Sequence, residues 1–153
     1  MIKCILLIMV GVFIIAQFVQ PDRPVPAFDP ANDMLVVTNA PTDIQQMVVG
    51  ACYDCLSYKT TYPWYAKLTP VNFVMQDHIN EGREVLNYSL WDKYANSEAG
   101  GESGEEIAEG EMAPTYYTFM HAHGRLSAGD KERLFGWFNA NVIGGEGTGE
   151  EED

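Results

Sequence analysis

The chain has 153 residues, 46% of them hydrophobic, and its 22 acidic side chains against 9 basic ones give a net charge of −13. That balance disfavours a nucleic-acid partner, because phosphate-backbone binding draws its affinity from clustered Lys and Arg, and the densest basic group is only Arg125, Lys131 and Arg133. The length allows one domain of ordinary size.

From Cys4 to Val19 the sequence reads CILLIMVGVFIIAQFV, with one Gln and no charge, between Lys3 and the polar Gln20, Pro21, Asp22 and Arg23. The run predicts a transmembrane anchor over residues 1–20, near the lower end of the length that spans a bilayer. Ile15 to Phe18 offer a poor small-x-small cleavage site, so the anchor is expected to be retained. Lys3 is the only charge on the short side. The positive-inside rule then puts the N-terminus in the cytoplasm and the remainder in the periplasm, as a single-pass inner-membrane protein.

Residues 21–41 hold five of the eight prolines and read as an extended tether or wrap. Within them Met34 to Thr38, MLVVT, is the one short run that reads as a strand. Thr42 is placed to cap a helix carrying Ile44, Met47, Val48 and Ala51 on one face, with Gly50 marking its end before Cys52. A second helix is expected from Thr69, with Pro70 in its first turn and Val71, Val74, Met75 and His78 on one stripe. Gly82 and Asn87 punctuate its end. Ser97 to Gly104, SEAGGESG, reads as a flexible loop, followed by a short helix capped by Ser103 and Glu106 and stopped at Gly110. A last helix starts at Ser127 with Asp130 three residues on, and buries Leu134, Trp137, Phe138 and Val142. The domain is therefore expected over residues 42–143, and the acidic residues 144–153 as a disordered tail. The fold class is all-α. No phosphate-binding glycine loop, GxSxG, HExxH or EF-hand pattern occurs, and no enzymatic activity is expected.

Cys4 reads as a small apolar residue of the anchor. Cys52 and Cys55 form a C-x-x-C pair outside the cytoplasm, where the options are a disulfide, a metal or a covalently held haem. A thioredoxin-like role is disfavoured because helical periodicity, not a strand, precedes the pair. His78 lies on an apolar stripe, where a core position and a ligand compete as readings. His121 and His123 read as polar loop side chains or, less favoured, metal ligands. Tyr62, Trp64, Tyr65, Tyr88 and Trp91 read as core or, less favoured, as the lining of a haem crevice, and Arg83 and Arg125 as ion-pair or propionate partners.

An amphipathic helix leading into C-x-x-C, aromatic-rich loops, Met112 in Glu111-Met112-Ala113-Pro114 and a C-terminal helix follow an order similar to that of a small class I cytochrome c. The wording is more specific still. ACYDC at Ala51, TTYPWYAKLTPV at Thr60, HINEGREVLNYSLW at His78, EGEMAPTYYTFMH at Glu109 and RLSAGDKERLFGW at Arg125 resemble a family of bacterial haem-binding domains, membrane-anchored and usually carrying CxxCH. The resemblance implies a cytochrome-c-like fold, haem c joined to Cys52 and Cys55, Met112 as an axial ligand and one-electron exchange with a periplasmic redox protein. The sequence departs from the family at Leu56, where the proximal His is expected. Replacement ligands are then sought at His78, His121 or His123. The alternative is a haemless structural or interaction module stapled by a Cys52–Cys55 disulfide.

Overall fold

The computed structural model describes residues 1–142, so the expected tail over 144–153 lies outside the described residues. Nine α-helices are described: α1 (Ile2–Ala16), α2 (Met34–Val37), α3 (Thr42–Ala51), α4 (Tyr53–Leu56), α5 (Val71–Val85), α6 (Trp91–Tyr94), α7 (Glu98–Glu109), α8 (Thr115–Met120) and α9 (Ala128–Asn141). Four short 3₁₀ turns join them, and no strand occurs among the described residues. The all-α expectation holds.

The MLVVT run is a helical turn and not a strand. The Asp33 carboxylate accepts from the Leu35 amide at 3.2 Å, an N-cap that starts α2 and drives Met34 and Leu35 into the core. In α3 the helical face buries Ile44, Val48 and Ala51 as expected. The helix runs through Gly50 because that glycine serves contact, not termination: a Cβ there would lie 2.6 Å from the His123 carbonyl oxygen.

The predicted loop at Ser97–Gly104 is the first half of α7. Ser97 is its N-cap, accepting from the Gly100 amide at 3.1 Å, while Ser103 lies inside the helix and donates to the Ala99 carbonyl. Its glycines let neighbours come close. A Cβ on Gly104 would lie 3.0 Å from Phe138 Cβ, so α7 packs backbone-close against α9. Burial of Ile107, Leu134 and Phe138 at this junction offsets the poor helix propensity of glycine, about 1 kcal/mol per residue. The expected capping box is present at Ser127 and Asp130. Leu134 and Phe138 are fully buried, Trp137 and Val142 partly so, and α9 also packs on α3.

Helix α5 starts at Val71 and continues past Gly82 to Val85. Its buried face is not the predicted apolar stripe but Asn72, Gln76, Ile79 and Arg83. These polar groups are satisfied in place: Asn72 donates to Gln20, Gln76 accepts from Tyr62, and Arg83 donates to the Ser57 carbonyl and the Thr60 hydroxyl. The stripe of Val71, Val74, Met75 and His78 faces a cavity instead.

The N-terminal helix is shorter than the anchor expected over residues 1–20. No helix among the described residues is long and apolar enough to cross a membrane. Helix α1 has 15 residues, about 22 Å, against a hydrocarbon core of about 30 Å. It stops at Ala16 because Gln17 turns to the domain: its carboxamide accepts from the Thr69 amide at 2.9 Å and donates to the Thr69 carbonyl at 3.2 Å. The following segment is a wrap. Gln20 accepts from Asn72, Arg23 lies 4.2 Å over the Tyr62 ring and donates to the Ala66 carbonyl, and Phe28 packs on Tyr58.

Candidate functional site

Cys52 lies at the junction of α3 and α4, and Cys55 one turn on, so the short helix turns both side chains toward one side. The thiols are not joined. Cys52 is buried and its pKa is pushed up to about 12, first by burial and then by the neighbouring Cys55. Burial also raises the Cys55 thiol, as does the Asp54 carboxylate, with the Arg83 guanidinium opposing both. Both sulfurs are therefore protonated at neutral pH. A protonated thiol is a poor nucleophile for disulfide exchange, which sets this pair apart from the activated cysteines of oxidoreductases.

Both cysteines line a cavity of about 430 Å³. Ala51 and Leu56 continue its wall beside them, α5 adds His78, Gly82 and Val85, and α7 adds Ala99, Glu102 and Glu106. The remaining side is Met112, Pro114, Tyr116 and Tyr117. Met112 reaches it because Gly110, at φ 90°, ends α7 and the Met112 amide turns back to the Glu106 carbonyl at 3.1 Å. A second cavity of about 270 Å³ adjoins, lined by the Val71, Val74 and Met75 stripe with Pro63, Tyr65, Met120 and His121. Cys55, His78, Tyr116 and Tyr117 line both spaces. A larger hollow of about 590 Å³ runs past Asp33, Tyr53, Lys59 and His123, but no sulfur reaches it.

Leu56 stands where an iron-ligating His is expected. It is buried, and its Cδ2 lies 3.2 Å from the place a Cβ on Gly82 would take. His121 and His123 belong to a different construction. Tyr117 donates to Asp54 at 2.7 Å, lies 3.2 Å from His123 Nε2, and stacks on the His121 ring at 4.2 Å. His121 Nδ1 donates to the Tyr117 carbonyl at 3.0 Å, which leaves Nε2 to accept from Tyr65 at 3.1 Å. Burial and the Asp54 carboxylate hold the Tyr117 hydroxyl well above the ordinary phenol range. Among the described residues no group of three or more His, Cys, Asp or Glu side chains could hold a metal ion. The structure thus brings Cys52, Cys55, Met112 and His78 round one cavity and leaves His121 and His123 outside it. Sequence reading missed Tyr116 and Tyr117 as walls, although the adjacent pair stands in the text shared with the family, and it read Gly82 as a stop where it is a floor.

Among the aromatic residues expected in the core, Tyr88 and Trp91 are buried, Tyr62 and Tyr65 are half-buried, and Trp64 is exposed. Arg83 makes internal hydrogen bonds near the thiols, and Arg125 donates to the Thr118 and Phe119 carbonyls.

Two thiols and a thioether-bearing methionine line one cavity with aliphatic and tyrosine side chains in an all-helical domain, a setting in which small proteins bind an apolar ligand or prosthetic group. The model of the haem-binding domain family matches residues 11–140, and the chain belongs to that family. No curated protein and no solved structure matches it. The donor chemistry fits a haem: two sulfurs able to form thioethers, and Met112 as a soft ligand for iron. Position 56 is where the fit is incomplete.

Proposed function

We propose that the domain holds haem c through Cys52 and Cys55 and serves as a one-electron carrier for a periplasmic redox protein, without enzymatic activity of its own. The observation that carries this reading is the convergence of both thiols and Met112 on one cavity. Each thiol would add across a vinyl group of the haem, with sulfur bonding one carbon and the thiol proton passing to its neighbour. The double bond becomes single and no oxidant is consumed. The thiols must arrive reduced, and their burial in protonated form supports that. When bound, haem supplies the exchange of single electrons. Met112 would ligate iron, and the aromatic walls would exclude water from the ring. The net charge of −13 favours a partner with a basic face.

In the same reading residues 1–20 attach the protein to the inner membrane and the rest lies in the periplasm. The support is the composition of α1, apolar save for Lys3 and with no residue buried in the fold. With about 22 Å of helix, attachment would draw on local bilayer thinning or on apolar residues beside the helix foot.

Leu56 favours a second reading, since it offers no nitrogen to iron and breaks the text by which attachment systems recognise a c-type site. A haemless module stapled by Cys52 and Cys55 follows if haem is never attached. The test is expression of wild type and Leu56→His with a haem attachment system, read by a reduced-minus-oxidised visible spectrum and a denaturing haem stain. Wild type is expected to carry covalent haem at partial occupancy, because Leu56 weakens recognition by the attachment system, and Leu56→His at markedly higher occupancy with sharp low-spin bands. If neither form is stained, the haemless module replaces the carrier.

A further inference from the structure

Three histidines could replace the nitrogen ligand lost at position 56, and the fold separates them. His121 has both ring nitrogens engaged, one on the Tyr117 carbonyl and one on the Tyr65 hydroxyl. His123 faces Tyr117 and Asp54. Neither lines the cavity that holds Cys52, Cys55 and Met112. His78 does line it, and it lines the adjoining apolar cavity as well. Its nearest aromatic neighbour is Tyr116, with ring centroids 6.2 Å apart, and no hydrogen-bond partner among the described residues occupies its nitrogens.

The placement of His78 on α5 ties it to the vacancy in the motif. Leu56 meets α5 at Gly82, where its Cδ2 fills the space a side chain would need. His78 and Gly82 are four residues apart on one helix, hence on one face and about 5–6 Å apart. Side chains on a helix lean toward its N-terminus, so the imidazole stands a turn beyond the Leu56 contact, over the boundary of the two cavities. A ligand delivered from α5 also needs no rearrangement of α4, which Leu56 pins to the core.

Resting on the proposal that this domain binds haem, we propose that His78 is the nitrogen ligand to haem iron in this chain, sharing the cavity with Met112 and in place of the histidine that position 56 lacks. The side chain is a surface group of α5, so its removal leaves the fold intact. Leu56 is then a packing residue, and the axial ligand has moved from the motif to the neighbouring helix.

The test is titration of the reduced, haem-free full chain with haemin, comparing wild type, Leu56→His, His78→Ala and His121→Ala. Absorption of the ferric and dithionite-reduced forms gives spin state, and circular dichroism gives folding. Wild type and His121→Ala should give low-spin spectra, while His78→Ala should give a high-spin spectrum with at least tenfold weaker binding. Added imidazole should restore the low-spin bands to His78→Ala. Unchanged low-spin spectra in folded His78→Ala would overturn the assignment and leave the haem reading standing. A wild type that takes up no haemin while Leu56→His does would overturn both the assignment and haem binding by the native chain.

Discussion

Burial of Cys52 makes the stability of the fold depend on pH in a predictable direction. Its folded pKa of about 12 stands above the ordinary thiol value of 9.0, so the folded chain keeps a proton that the unfolded chain releases. The stabilisation is complete below pH 9 and is lost as pH rises toward 12. At one pKa unit per 1.36 kcal/mol the loss reaches roughly 4 kcal/mol at the top of that window. Tyr53 and Tyr88, raised above the usual phenol range by burial first, add to it with the same sign. Urea midpoints of the haem-free, reduced chain should therefore fall between pH 8 and pH 11, and Cys52→Ala should flatten the decline; an equal slope in the variant would remove Cys52 from the account. At this scale the three sulfur-bearing residues that line the cavity were legible from sequence, since Cys52 and Cys55 are neighbours in a local motif and Met112 lies in a recognisable phrase. The Tyr117–Asp54 hydrogen bond was not, because its partners stand 63 residues apart and only the tertiary fold joins them. Nor was the fate of the histidines, which depends on which ring nitrogens a neighbour already holds.

Helices α7 and α5 show where element-level reading succeeds and where packing overrules it. Glycines in SEAGGESG signal flexibility by propensity alone, yet contact decides their meaning residue by residue. A Cβ on Gly100 would lie 2.1 Å from the Tyr94 carbonyl oxygen, while one on Gly101 meets nothing within 4 Å. Gly101→Ala should accordingly raise stability by about 0.5–1 kcal/mol, the ordinary gain of alanine over glycine inside a helix. Gly100→Ala should lower it by about 1–3 kcal/mol through overpacking against backbone. Denaturant unfolding of the two variants checks both, and equal effects would show that α7 does not approach Tyr94 as described. The capping box at Ser127 and the face of α3 were readable because their signals are local. In α5 the apolar stripe was legible, but whether it met the core or a pocket was not, because periodicity cannot say whether a face meets protein or an open cavity. The structure sets it along a cavity, and an apolar face left unburied marks the place where something else belongs.

For the whole molecule, the decisive feature is that the segment after α1 is fastened to the domain and does not swing from it. Gln17 bonds Thr69 in both directions, the Thr69 hydroxyl donates to the Val19 carbonyl at 3.0 Å, and Gln20 bonds Lys67 and Asn72. The foot of α1 is thereby held on the segment from Lys67 to Asn72. That neighbourhood exposes large apolar side chains, Trp64 at 73%, Val71 at 44% and Val74 at 57%. On the membrane-attached reading, a helix of about 22 Å that is too short for the bilayer core draws the domain down until these residues meet the interface, where an indole is favourably placed. The full chain in nanodiscs should then show tryptophan fluorescence quenched by lipids brominated near the headgroup. Trp64→Phe should remove most of the quenched fraction, because Trp91 is buried and Trp137 partly so in the domain. Double substitution of Gln17 and Gln20 by Ala should weaken the quenching while leaving α1 in the bilayer, since it releases the domain from the helix foot. If Trp64→Phe leaves the quenching unchanged, the domain stands off the membrane. If the full chain fails to enter nanodiscs at all, membrane attachment itself is wrong, and α1 requires an apolar partner of another kind.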